Sequence, residues 1–285
     1  MVPVLLDTDI GNDIDDALCL AYLLAEPECD LVGITTVCGE PTRRAEMASA
    51  LCHVAGRAEI PIHAGSPDCL YQVQTQPTCP QANALGNWPR QRQFEPFTAI
   101  EFLRQTIRSR PGEITLLTIG PLTNIGLLFK VDPEIPRLIK ELVMMVGHFD
   151  PAKRIPETNA KVDIWASDIV FKAPVPRLRA VGLDVTMQCR VGAGGVWTKL
   201  RVPRLAPALD FAEVWFESVD HITFHDPLAA VDVFHSDVLT YERGEIEMDL
   251  RDGMTLTGSG SRHELATQVD VPRFFERYLT TVARE

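Results

Sequence analysis

Six short apolar, β-branched runs punctuate the chain at 2–6, 31–37, 60–63, 114–119, 142–146 and 178–185, and helix-forming stretches at 15–24, 43–54, 97–108 and 122–130 lie between them. That alternation limits the possible folds more than any other feature. Several of the runs are apolar at nearly every position, as strands covered on both faces must be. Strand, helix, strand, repeated, means parallel βαβ units and an α/β fold: a doubly wound, mostly parallel sheet flanked by helices. In such sheets ligands sit at the carboxyl ends of the strands. Attention therefore goes to the residues just after Leu6, Val37, Ile119, Val146 and Val185.

The remainder of the chain is less regular. Segment 72–95 is rich in Gln, Pro, Asn and Arg and has no period, so it reads as a flexible loop or lid beside the sheet. A second irregular zone, 190–207, leads into a helical stretch at 208–219. Residues 244–255 alternate like an antiparallel strand pair with Asp252-Gly253 as its turn, and 271–282 closes as a helix. The expected organisation is one domain over 1–285 with a small antiparallel C-terminal appendage.

Charge and composition remove several classes of function. With 39 acidic against 27 basic residues the net charge is −12, which disfavours nucleic acid or an anionic membrane as a partner. No apolar run is long enough to cross a bilayer. The opening Met-Val-Pro-Val-Leu-Leu-Asp has neither a basic leader nor a long apolar segment. The seven cysteines are scattered and form no C-x-x-C pair, so neither a disulfide framework nor a zinc knuckle is expected. These features describe a globular protein of the cytoplasm.

Chemistry concentrates after the first strand, in Asp7-Thr8-Asp9-Ile10-Gly11-Asn12-Asp13-Ile14-Asp15-Asp16-Ala17, where five carboxylates fall within ten residues. The helix that follows favours nearby negative charge through its dipole, but a dipole does not offset five mutually repelling anions. A cation is expected among them, and hard carboxylate oxygens suit Ca²⁺ or Mg²⁺ rather than zinc. A solvated acidic turn capping a helix is the plain alternative; the position at a strand's carboxyl end favours the metal.

Three further fragments belong in the same inventory. His225-Asp226-Pro227 opens a helical stretch, and Gly120-Pro121-Leu122-Thr123-Asn124 follows a strand, where an exposed carbonyl can complete an oxygen cage. Each also reads as an ordinary helix start. Glu157-Thr158-Asn159 offers an acceptor and an amide to sugar hydroxyls.

Taken in order, these fragments resemble the nucleoside hydrolase family, the inosine-uridine-preferring type of N-ribohydrolase. The resemblance runs from Leu5 to about Phe275 and includes Ile34-Thr35-Thr36-Val37 and Val181-Gly182-Leu183-Asp184-Val185-Thr186. It implies hydrolysis of the N-glycosidic bond of ribonucleosides, in nucleoside salvage, with one Ca²⁺ at the bottom of the pocket. Asp9, Asp16 and Asp226 would give carboxylates to the ion and Thr123 its backbone carbonyl. Asp9 matches the general base for the attacking water, and Asp15, Glu157 and Asn159 match the ribose ligands. His225 matches the histidine that protonates the departing base, and its place beside Asp226 suggests the broad or pyrimidine-accepting type. Asp7 is expected to support the ligands from behind. Family members of this kind form homodimers or homotetramers.

The chain also departs from the family pattern. Two extra residues, Asp13-Ile14, precede the Asp pair; Glu40 stands where Asn is usual; Pro151 stands where many members have Asn; and the loop His-Gly pair is missing around 82–88. Trp88 and Phe224 are candidates for the base pocket, with the core as their ordinary alternative. Two rival functions remain. One is a nucleoside-binding protein with altered substrate or no turnover. The other is a haloacid-dehalogenase-type phosphatase using Asp7 as nucleophile, although Gly11 stands where that pattern wants Thr or Val.

Overall fold

The computed structural model describes residues 1–150, 152–153 and 155–284, with the backbone alone at 197. The chain alternates strands and helices through β1 (Val2–Thr8), α1 (Asp15–Ala25), β2 (Cys29–Thr36), α2 (Pro41–Val54), β3 (Ile62–Ala64), α3 (Ala99–Ser109), β4 (Thr115–Thr118) and α4 (Thr123–Val131). It continues with α5 (Ile135–Leu138), β5 (Glu141–Met145), α6 (Thr158–Val162), α7 (Ile164–Phe171), β6 (Leu178–Val181) and α8 (Leu183–Thr186). The last part holds β7 (Arg190–Gly192), α9 (Ala193–Lys199), α10 (Ala206–Phe216), β8 (His221–Thr223), α11 (His225–Phe234), β9 (Leu239–Met248), β10 (Thr255–Val269) and α12 (Val271–Val282).

Eight strands form one sheet in the order β3-β2-β1-β4-β5-β6-β10-β9, parallel throughout except for the antiparallel β10–β9 pair. Period-two alternation explains why both faces are dry. Val4 and Leu6 of β1 enter one core with α1, α2 and α11, while Leu5 between them enters the other with α3 and α4. Because β1 has β2 on one side and β4 on the other, the connections after β1 and β4 leave to opposite faces. A crevice opens at their carboxyl ends, as the doubly wound pattern requires.

Several sequence expectations change in extent. The run 178–185 stops as a strand at Val181, because Gly182 turns the chain into α8 and the Asp184 carboxylate takes the amides of Phe149 and Asp150. The antiparallel pair expected at 244–255 is the tip of a longer hairpin, with Met248 opposite Thr255 and Gly253 at φ 75° in the turn. It joins the central sheet because β10 runs parallel to β6 through His263, Glu264 and Leu265. The zone 190–207 contains β7, which pairs with β8 in a separate two-stranded sheet, and α9. Among the described residues no helix is long and apolar enough to cross a membrane.

Candidate active site

At the crevice lies a cavity of about 300 Å³, large enough for a small molecule. One wall is acidic: Asp9 comes from the turn after β1, Asp13, Asp15 and Asp16 from the approach to and first turn of α1, and Asp226 from the first turn of α11. Glu157 and Asn159 line it from the start of α6. His225, Leu183, Trp215, Ile119 and Met145 make up the more apolar remainder, and Asn12 and Gln76 also border the cavity.

Local structure aims these side chains. Asp15 and Asp16 occupy the first turn of α1, where the helix dipole lowers the cost of their charge. Thr8 donates to Asp16 Oδ1 at 2.5 Å, fixing one carboxylate from the end of β1. The Asp226 amide donates to Asp15 Oδ2 at 3.0 Å, tying the beginning of the chain to α11. Gly120 passes so close to Asp9 that a Cβ there would sit 2.7 Å from Oδ1, so only glycine fits. Glu157 caps α6, accepting from the amides of Asn159 and Ala160, and also holds the Gly147 amide at 3.0 Å. The Asn159 amide group is spent on the carbonyls of Ile119 and Met145 at the ends of two strands.

The electrostatics call for a cation. Oxygens of Asp15, Asp16 and Asp226 lie within 4.8 Å of one another, and all three residues are buried. Burial and mutual repulsion push all three carboxyl groups well above the usual carboxylate range. Burial also raises Asp9, to about 6, against the opposing pull of Arg44. Among the described residues no Lys, Arg or His forms an ion pair with any of these four acids. Hard oxygen donors so crowded, with the single charge of the buried Arg44 nearby and no ion pair, fit a hard divalent ion.

The expected site residues are placed unevenly. Asp9, Asp15, Asp16, Glu157, Asn159, His225 and Asp226 all line the cavity. Thr123 does not; it is buried beside it, its hydroxyl donating to Asp163 Oδ2 at 2.8 Å. Asp7 is fully buried behind the site, accepting from Thr35 and Asn124, and burial raises it to about 7. A side chain so enclosed does not meet a phosphate ester, which removes the support for Asp7 as a nucleophile. Glu40 turns away from the cavity to accept the Cys79 amide at 2.8 Å and pair with Arg43. Pro151 lies outside the described residues.

Both aromatic candidates take their ordinary roles. Phe224 packs edge-on against Phe274, Phe275 and Tyr278 in the core, and Trp88 bonds Asp210. The aromatic residue that does reach the cavity is Trp215, whose indole N–H donates to the His221 carbonyl at 2.8 Å. Sequence reasoning missed it. Its only signal was a tryptophan in a helix leading toward His225-Asp226. Across the cavity lining, His225 Nδ1 meets Thr186 Oγ1 at 2.7 Å, and burial, aided by Arg190, depresses the imidazole to about 4.

A cleft that sets clustered carboxylates beside an imidazole and an indole is suited to binding a small polar molecule together with a cation. Residues 4–276 match the profile of the family described as inosine-uridine preferring nucleoside hydrolase. The inosine-uridine preferring nucleoside hydrolase of Leishmania major is 30% identical, over 95% of this chain and 94% of that protein. Uridine nucleosidase 1 of Arabidopsis thaliana is 28% identical, over 90% of this chain and 82% of its own length. Among solved structures, a purine-preferring ribonucleoside hydrolase from Gardnerella vaginalis superposes with a TM-score of 0.85 at 25% identity, covering 99% of this chain and 98% of that one. The chain belongs to the inosine-uridine preferring nucleoside hydrolase family and is a hydrolase acting on N-glycosyl compounds.

Proposed function

We propose that the protein hydrolyses ribonucleosides to ribose and free base with the help of Ca²⁺. The observation that carries this reading is the buried acid wall facing His225 and Trp215 across one small cavity. The family resemblance assigns Asp9, Asp16 and Asp226, with the Thr123 carbonyl, to the ion; the carboxylates whose oxygens lie together are those of Asp15, Asp16 and Asp226, with Asp9 on the same cavity wall. Bound there, Ca²⁺ would acidify water and fix the geometry of the ribose hydroxyls.

The protein's own groups account for the rest. Breaking the C1′–N bond builds oxocarbenium character on the sugar, which a wall of carboxylates stabilises. The carboxylates of Asp15 and Glu157 and the side-chain oxygen of Asn159, whose amide nitrogen is taken by Ile119 and Met145, accept from the ribose hydroxyls and hold the ring against that wall. Asp9 takes a proton from the attacking water as its oxygen closes on C1′. The bonding pair leaves with the base. Depressed to about 4, His225 is neutral near neutrality. With Nδ1 held at the Thr186 hydroxyl, Nε2 is left to serve the departing base: it donates a hydrogen bond while the ring is neutral, and passes on a proton only after taking one up from solvent.

Trp215 gives the base a flat surface, and Gln76 brings segment 72–95 to the cavity as a wall or lid. The same reading makes the chain one catalytic domain, acting as a homodimer or homotetramer in cytoplasmic nucleoside salvage. The test is ribose release from inosine, adenosine, guanosine, uridine and cytidine, with chelator and with Ca²⁺ restored. Release that chelation abolishes and Ca²⁺ recovers is the expected result. A folded, Ca²⁺-binding protein that releases ribose from none of them overturns the reading in favour of a nucleoside-binding protein.

A further inference from the structure

Arg44, on α2, is fully buried, yet among the described residues it forms no ion pair with a carboxylate. A buried arginine is ordinarily paired with an acid, because an uncompensated charge in the interior is costly. Here the guanidinium is saturated by the main chain around the site instead. Nε donates to the Cys38 carbonyl at 2.7 Å, and Nη1 donates to the carbonyls of Asp9 and of Ile10, the latter at 2.9 Å. Nη2 reaches Asn12 Oδ1 at 3.4 Å and the Thr78 carbonyl at 3.3 Å. One planar fork thus ties the turn after β1, the turn after β2 and segment 72–95 together. The turn is held from another side by Gln81, whose amide donates to the Gly11 carbonyl at 3.1 Å and whose side chain donates to the Asn12 carbonyl at 2.9 Å.

We infer that Arg44 is a positioning residue for the reaction: its guanidinium fixes the main chain of the 9–12 turn, and so the direction of the Asp9 carboxylate, whether or not a cation is present. The inference rests on Asp9 as the base. A rigid turn matters because a displacement of about 1 Å at a reacting group costs roughly 100-fold in rate. Lysine cannot substitute, since a single ammonium does not span acceptors arranged around a planar fork. The groups assigned to the sugar, Asp15, Glu157 and Asn159, make no hydrogen bond to Arg44.

Arg44→Lys is therefore expected, at saturating Ca²⁺, to lower kcat on a nitrophenyl riboside by about 10- to 100-fold with KM little changed, and to weaken Ca²⁺ binding by calorimetry because Asp9 is also assigned to the ion. In an Asp9→Asn background the same substitution should add no further loss, because both changes act through one carboxylate. A folded Arg44→Lys enzyme with normal kcat, a raised KM at normal kcat, or an additive loss in the double variant overturns the inference. Wild-type activity in Asp9→Asn alone would instead remove the base assignment on which it rests. Should Arg44→Lys fail to fold, hydrogen exchange on the wild-type protein decides. The Ile10 and Gln81 amides, bonded to Thr8 Oγ1 and the Gly11 carbonyl, should keep their protection when Ca²⁺ is chelated. Loss of that protection would show that the cation, not Arg44, holds the turn.

Discussion

The main-chain amide of Asp226 donates to Asp15 Oδ2 at 3.0 Å, across 211 positions of sequence. One bond thereby joins the acid turn before α1 to the helix that carries His225, and α1 packs along α11 behind it. The cavity is closed by contact between two acidic fragments from the beginning and the end of the chain.

Replacing Asp15 separates its two duties. Asp15→Asn keeps an oxygen for the Asp226 amide but loses the charge proposed to bind a ribose hydroxyl, whereas Asp15→Ala loses both. Hydrogen bonds to a charged group contribute about 1.5–3 kcal/mol, so KM for uridine should rise roughly 10- to 100-fold in Asp15→Asn. Asp15→Ala should show that loss together with weakened Ca²⁺ binding by calorimetry. Equal Ca²⁺ affinity in the two variants would separate Asp15 from the placement of Asp226.

His225→Ala should cost more on a nucleoside than on an activated substrate. Proton donation by a placed side chain contributes on the order of 100-fold or more, and a nitrophenolate leaves without it. Turnover of inosine should fall by about that factor while nitrophenyl riboside hydrolysis changes little. Parallel losses on both substrates would make His225 a support for α11 or for the base rather than a proton donor.

Trp215→Leu tests the flat wall of the cavity. Its indole is held by the His221 carbonyl, so the ring is already set for stacking when substrate enters. Base–aromatic stacking is worth about 1–3 kcal/mol, so KM for nucleosides should rise from roughly fivefold to 100-fold. Inhibition by free ribose, which has no base to stack, should be unaltered. A matching loss of ribose affinity would show that the substitution disturbs the acid wall instead.

Much of this arrangement is legible in the sequence, for physical reasons. Dry strands need apolar residues on both faces, so β1, β2, β4 and β5 announce themselves, and five carboxylates at the end of β1 need a partner that no basic residue within the segment supplies. What escapes are effects set by tertiary placement. A short apolar run does not say that β6 ends at Val181, since Gly182 and Asp184 act through bonds to a distant loop. Nor does α2 advertise Arg44, a basic residue in a helix that also presents Arg43 to solvent. Trp88, Trp215 and Phe224 are indistinguishable by type; only packing separates a core ring from a cavity wall.

The hairpin that extends the sheet carries its own pH dependence, remote from the acid wall. His263 is 2% exposed in β10, and its Nδ1 accepts the Ile246 amide of β9 at 2.8 Å, a role only an unprotonated nitrogen can play. Burial, with Arg262, holds the imidazole below its ordinary value of 6.5 against the opposing pull of Glu245. Above that value the folded and unfolded chains are both neutral at this position, and the hairpin keeps its full stability. As pH falls through it, the unfolded chain takes up a proton that the folded chain refuses, so stability is lost until the lower folded value is reached. The urea midpoint should therefore drop as pH falls through and below 6.5. His263→Gln, which offers the Ile246 amide an oxygen but does not titrate, should lose less over the same interval. Identical acid dependence in the two proteins would place the sensitivity elsewhere, because nothing else in the substitution alters a proton equilibrium at that strand.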